Sequence, residues 1–147
     1  MSKGETYKNQ YLLHLFNNAN IPGIGDGTGL RGSSSVGSLY VALHTANPAG
    51  AGNDQTTFEI SYTGYARVPL LRDSSCFVVA GAVAAFTSTV TFPLMTGGAG
   101  GTATHFSIGV AASGASMLLY SGTISASLSV TNGVFPGLLS GAVITEQ

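Results

Sequence analysis

The chain has 147 residues, of which 44% are hydrophobic and only 7% are charged, against about 25% charged residues in an ordinary soluble protein. Its formal net charge is −1 and its basic residues are scattered, which excludes the basic surface typical of a nucleic-acid-binding protein. One cysteine, Cys76, excludes an internal disulfide and a cysteine-based metal cluster. A surface so poor in charge must be covered by uncharged polar residues or lie against a partner, which suits a protein that works in an assembly.

The first residues, Met-Ser-Lys-Gly-Glu, lack the charged and then apolar pattern of a signal peptide. No stretch reaches the roughly 18 uninterrupted apolar residues of a membrane-spanning helix. We therefore expect synthesis in a cytosol and no membrane partner.

Residues 2–17 carry the clearest helix pattern. Ser2 and Glu5 have the spacing of a capping box. The apolar residues that share one face at helical spacing are Tyr11, Leu12, Leu15 and Phe16. Because an isolated helix of this length is marginal in water, we expect this face to contact the rest of the chain or a neighbouring subunit. These four residues are the predicted interface.

Residues 18–35 are rich in glycine and serine, a composition that disfavours regular structure. A structureless loop of this length is uncommon inside a domain and is usually functional or a linker. The sequence therefore predicts two parts: an N-terminal helix and Gly/Ser-rich arm over residues 1–36, and a β-sandwich domain over residues 37–147.

From Ser38 the hydrophobic period changes to two, as expected of strands. The predicted strands cover residues 38–44, 62–71, 76–80, 82–88, 89–93, 105–110, 117–124, 127–130 and 138–145. Gly81 joins two of them in a hairpin, and Pro69 marks an edge or a strand end. The side chains expected to point inward are Leu39, Val41, Leu43, Phe106, Ile108, Val110 and Leu118. Short strands with turn signals every few residues predict an all-β sandwich or barrel.

The residues that could carry catalysis are few and dispersed. No two of the six carboxylates have the spacing of a glycosidase pair. His14, His44 and His105 would need a fourth ligand and a dry pocket to bind zinc. The Gly-rich segments 25–29 and 97–101 lack the lysine of a phosphate-binding loop. We therefore expect no enzyme activity, no catalytic residue, no metal site and no cofactor.

Five ordered motifs carry a resemblance to a known family. They are Ser-Leu-Tyr-Val-Ala-Leu-His-Thr-Ala-Asn-Pro (38–48), Glu-Ile-Ser-Tyr-Thr-Gly-Tyr-Ala-Arg-Val (59–68), Val-Thr-Phe-Pro (90–93), Thr-His-Phe-Ser-Ile-Gly (104–109) and Leu-Leu-Tyr-Ser-Gly (118–122). In this order they resemble the small tailed-phage capsid decoration, or cement, proteins, whose members are often loosely labelled tail-fibre proteins. The resemblance covers most of residues 1–145, and the Gly/Ser-rich insertion at 23–37 departs from it.

The resemblance implies a jelly-roll-like β-sandwich, assembled in the host cytoplasm and located on the outer capsid surface of the virion. Its implied partners are the major capsid protein and further copies of itself, as a homodimer or homotrimer. A tail-fibre or receptor-binding protein is the alternative, although the sequence has neither the repeats nor the coiled coil that a trimeric fibre favours.

Overall fold

Antiparallel strands make up most of the regular structure in the computed structural model, which describes residues 2–147. One helix, α1 (Glu5–Asn17), precedes all the strands. The strands are β1 (Ser38–His44), β2 (Val68–Leu71), β3 (Phe77–Ala80), β4 (Val83–Phe86), β5 (Val90–Thr91), β6 (Gly101–Gly109), β7 (Leu118–Val130), β8 (Gly137–Leu138) and β9 (Val143–Thr145). The predicted all-β class, with one short helix and the several antiparallel sheets of a sandwich fold, is confirmed.

The contacts divide the chain into two units, each made of separate stretches. The first unit comprises residues 2–38, 71–88 and 140–147, and the second comprises residues 39–70 and 89–139. The helix and the glycine-rich segment thus share a unit with later strands. Units of dense contact are not the same as independently folding domains, so the division at residues 36 and 37 stays a prediction.

The first unit packs α1 against the antiparallel sheet β3-β4-β9. In β3 and β4, Phe77 lies opposite Phe86, and both side chains are buried on the same face of the sheet. Phe16 of the helix reaches this face, with its ring centroid 4.9 Å from that of Phe77. The predicted hairpin across Gly81 is confirmed, since β3 and β4 on either side of it form an antiparallel pair. The sequence could predict it because the alternation of side chains within a strand is a local property.

The start of α1 differs from the prediction. Gly4, in an extended conformation, occupies the N-cap position and no side chain caps the helix, so the capping box of Ser2 and Glu5 is wrong. Glu5 instead forms an exposed ion pair with Lys8, one turn along the helix. At the other end, Arg72 donates to the carbonyl oxygens of His14 and Leu15 at 2.8 and 2.7 Å, which satisfies groups that the last turn leaves open.

The glycine-rich segment forms a closed loop rather than a structureless one. Ile21 and Leu30 exchange two backbone hydrogen bonds, of 2.8 and 2.9 Å, and Ile21 is buried. Gly29 has a φ of +69°, and a Cβ there would come within 2.0 Å of the Ile21 carbonyl oxygen. Only glycine therefore fits this position, and its presence is a requirement of the closure rather than a sign of flexibility.

The second unit contains a four-stranded sheet in the order β2-β1-β6-β7, in which the β1–β6 and β6–β7 pairs are antiparallel, and a two-stranded sheet of β5 and β8. The predicted core residues Leu39, Val41, Leu43, Phe106 and Ile108 are buried, with Val41 opposite Ile108 and Leu43 opposite Phe106. Leu118 is half-buried. The strand that carries Pro69 lies at the edge of its sheet, as predicted.

Two details of the predicted strands are wrong. Val110 was expected inward, yet it is 43% exposed, because β6 ends at Gly109 after an irregularity in the pairing at Ile108 that breaks the alternation. Residues 127–130 are not a separate strand. They belong to β7, whose pairing with β6 shifts between Ala103 and His105 and leaves extra residues of β7 in a bulge.

Candidate interaction surface

An ion pair lies at the centre of a buried polar network in the second unit. The Arg67 guanidinium binds Glu59 in a bidentate manner, with Nε to Oε1 at 2.7 Å and Nη2 to Oε2 at 2.8 Å. The Arg67 side chain is 2% exposed and the Glu59 side chain 15%. The hydrogen bonds to Glu59 raise the pKa of Arg67, so the guanidinium stays protonated. Its two charges neutralise each other inside the fold.

The rest of the Arg67 guanidinium holds a loop between β6 and β7. Nη1 donates to the Ala111 carbonyl at 3.0 Å, and Nη2 donates to the Gly114 carbonyl at 2.9 Å. Nη1 also donates to Gln55 Oε1 at 3.2 Å and Ser116 Oγ at 3.3 Å. The fork-shaped guanidinium can serve several acceptors at once in a fixed geometry, which an ammonium cannot.

Gln55 links this ion pair to a buried histidine. Its Nε2 donates to the Tyr40 carbonyl at 2.9 Å and to Ser107 Oγ at 3.2 Å. Ser107 Oγ lies 2.7 Å from His44 Nε2, and His44 Nδ1 lies 2.8 Å from the Thr57 carbonyl. Because a carbonyl can only accept, Nδ1 carries the proton and Nε2 accepts from Ser107. Burial lowers the pKa of His44 and keeps the ring neutral.

Tyr65 completes the network from the side of Glu59. Its hydroxyl donates to Glu59 Oε1 at 3.0 Å and accepts from the Leu43 N–H at 3.2 Å. Burial, followed by the nearby Glu59 carboxylate, raises the pKa of Tyr65. The donors and acceptors named here bind one another, so the network forms an internal frame that joins the loop of Ala111 and Gly114 to β1 and β6.

This internal frame changes the charge of the surface. The charged residues of the second unit are Asp54, Glu59 and Arg67 alone, and the last two neutralise each other in the buried pair. Hydrogen bonds from Thr56 lower the pKa of Asp54, which therefore carries its charge. Asp54 is thus the one charged side chain of this unit that lies outside the ion pair. No Asp, Glu, Lys or Arg occurs anywhere between Asp73 and Glu146.

Large apolar side chains lie exposed on the same unit. They are Leu139 (75% exposed), Met117 (62%), Phe135 (62%), Phe58 (48%), Val110 (43%) and Val134 (37%). Single exposed apolar residues are ordinary, but these six belong to a unit whose one charge outside the ion pair is that of Asp54, which forms a backbone bridge with Met117, so little charge keeps copies apart. We call these six residues the uncharged surface. The long charge-free stretch of the sequence was the signal that could have located it.

The predicted interface residues lie in the first unit. Leu12 and Phe16 are fully buried there, against β3 and β4, whereas Tyr11 and Leu15 are half-buried. The helix face therefore contacts its own unit through Leu12 and Phe16. An intermolecular role for Tyr11 and Leu15 stays a prediction.

The histidines and carboxylates do not gather into a metal site: across residues 2–147, no group of three or more His, Cys, Asp or Glu side chains is arranged to hold an ion. Within the same residues, no helix is long and apolar enough to cross a membrane.

The chain thus has an all-β fold with one short helix, and its second unit has a single charged side chain outside the Glu59–Arg67 pair. Residues 29–145 match the model of the family described as podophage GP4 fiber I protein gp80. Since the match covers most of the chain, the chain belongs to this family and is a structural protein of a phage virion. The expected kinship with tailed-phage structural proteins is confirmed at that level. No curated protein matches the chain significantly.

Proposed function

We propose that this chain is a capsid decoration, or cement, protein that binds the outside of a tailed-phage head and stabilises the lattice of the major capsid protein. The observation that carries the proposal is the uncharged surface of the second unit, together with the pairing of Glu59 with the buried Arg67, which neutralises both charges. In this proposal the protein has no enzyme activity and no cofactor, and it binds neither nucleic acid nor membrane.

Surface burial is the means of action that these features support. A standard interface buries about 800 Å² on each partner, and apolar burial needs no charge on either side. A protein that binds the assembled lattice more tightly than its free subunits stabilises the lattice by mass action. Many copies then act together, so each site contributes only modestly.

Heating of virions that lack the protein tests the proposal. Particles from a phage with the gene deleted should assemble, but release DNA at a lower temperature than parental particles. Adding the purified chain back should restore the parental release temperature, while adding the Phe58→Ser, Val110→Ser double variant, which changes two other exposed apolar side chains of this unit, should restore it less. Equal release temperatures, together with lost adsorption to host cells, would reject the decoration function.

A tail-fibre or receptor-binding protein is the second candidate, and the word fiber in the description of the matched family favours it. Electron microscopy of intact virions, with the chain labelled by an antibody, distinguishes the two. Label over the head supports the decoration function, whereas label confined to the tail supports the tail-fibre function.

A further inference from the structure

The two-stranded sheet of β5 and β8 presents a free edge. Val90 pairs with Leu138 and Thr91 with Gly137, and the pairing continues where the Phe92 N–H donates to the Pro136 carbonyl at 2.8 Å. Within residues 2–147, β8 pairs with no strand other than β5. We call residues 135–139, which include β8, the edge segment.

Alternation along the edge segment determines which groups face outward. In an antiparallel pair, the N–H and C=O groups of successive residues point to opposite sides of the strand. Pro136 directs its carbonyl toward β5, so the backbone groups of Phe135 and Gly137 point to the free edge. The part of the chain that the structure describes contains no backbone hydrogen bond donated by the Phe135 or Leu139 N–H.

The edge lacks the features that normally prevent strand addition. Protective edges carry lysine or inward charges, or a proline that removes an outward donor. The edge segment has no charged residue, and its proline removes a donor on the β5 side, where Phe92 already donates to it. The edge therefore remains competent to pair with another strand.

The edge segment is also symmetric about Gly137. Phe135 and Leu139 lie two residues to either side of this glycine, and both side chains are exposed, at 62% and 75%, whereas Pro136 and Leu138 are buried. Antiparallel pairing of two such segments, centred on Gly137, brings Phe135 of each copy opposite Leu139 of the other. Opposed apolar pairs of this kind are a unit of sheet stabilisation.

We propose that two copies of this chain associate through their edge segments, related by a two-fold axis at Gly137. The spacing of Phe135 and Leu139 about Gly137 is complementary to the same spacing in a second copy, as a two-fold contact requires. Because the segment carries no charge, bringing it against itself incurs no like-charge repulsion. This proposal rests on the proposed function, because a capsid decoration protein is present in many copies close together on the virion. It specifies the contact that those copies make with each other.

A disulfide across the axis tests the geometry. A Cβ at position 137 would make an ordinary contact of 3.4 Å with Thr89 Cγ2, so Gly137→Cys should fold. At the axis, the two Cα atoms would lie about 5.5 Å apart if they form a hydrogen-bonded pair, which suits a disulfide. In the full chain with Cys76→Ser, Gly137→Cys should form a covalent dimer under mild oxidation. Met117→Cys, at a position as exposed as Phe135, should not.

Sedimentation over a concentration series measures the contact without a crosslink. The Phe135→Ser, Leu139→Ser double variant should raise the dimer dissociation constant at least tenfold, while Met117→Ser should leave it unchanged. Circular dichroism should be the same for all three chains. The proposal would be overturned if Gly137→Cys formed no dimer or if Met117→Cys crosslinked equally well. It would also be overturned if the dissociation constant of the double variant were unchanged. A protein absent from the capsid would overturn the decoration function but would leave the dimer in solution, so the two failures are distinguishable.

Discussion

Arg67 and Glu59 show how a chain with few charges uses two of them away from solvent. Burying charges costs free energy unless each is paired and hydrogen-bonded, and this pair meets that condition through two short contacts and further acceptors around the guanidinium. Arg67 thus joins Glu59 to the loop between β6 and β7. Its contribution is to fix the loop that contains Ala111 and Gly114.

Replacing Arg67 by Ala should be among the most damaging single changes in the second unit. It leaves the Glu59 carboxylate without its partner and three loop acceptors without a donor, so we expect a loss of about 3–5 kcal/mol in the free energy of unfolding. Urea denaturation measures the loss. Arg31→Ala, at an exposed arginine, is the matched control and should change stability by less than about 0.5 kcal/mol. A loss for Arg67→Ala as small as the control's would show that the network is not tightly coupled to folding.

His44 should make stability depend on pH. Burial lowers its pKa in the folded protein, with Arg67 and His105 acting in the same direction and Glu59 and the Thr57 carbonyl acting against them. The unfolded chain therefore binds the proton first, at about pH 6.5, and stability falls as the pH drops below that value. The free energy of unfolding should decrease by at most about 1.4 kcal/mol per pH unit from this residue.

Urea denaturation between pH 7.5 and 5 checks the histidine effect. His44→Gln removes the titrating ring, so that variant should be less stable at pH 7.5 but should show a shallower decline toward pH 5. The same slope in both proteins would assign the pH dependence to other groups.

At the scale of elements, α1 is part of the first unit's core rather than an unpartnered face. Leu12→Ala should cost about 2–5 kcal/mol through the cavity it leaves, because Leu12 is fully buried. Leu15 is half-buried, so Leu15→Ala should cost clearly less. Thermal unfolding of the two variants compares them directly. If Leu15→Ala proved equally destabilising, the helix would pack on a different face than the structure shows.

At the scale of the whole molecule, the scarcity of charged side chains on the second unit predicts that binding to the capsid depends only weakly on salt concentration. Opposed charges on two partners are screened at high ionic strength, with a Debye length of about 10 Å at 0.1 M and 3 Å at 1 M. Apolar burial is not weakened in this way, and sulfate strengthens it. Binding of the purified chain to virions that lack it should therefore change less than about threefold between 0.05 and 0.5 M sodium chloride. A steep loss of binding over this range would indicate a charged interface and contradict the role of the uncharged surface.

The sequence by itself determined the features that depend on neighbouring residues. The alternation in β1 and β6, the hairpin across Gly81 and the edge strand at Pro69 follow from side-chain period and backbone chemistry, which are local. The charge-free stretch between Asp73 and Glu146 was equally visible.

Tertiary structure alone decided the features that join distant residues. Gln55, Arg67 and Ser107 have no local pattern that predicts their contact, since hydrogen bonds between side chains leave no period in the sequence. The closure of the glycine-rich loop at Ile21 and Leu30, and the exposure of Val110, likewise depend on pairing across the chain. The free edge of β8 belongs here too: the apolar spacing about Gly137 can be read from the sequence, but which side of the strand lacks a partner is a property of the assembled sheet.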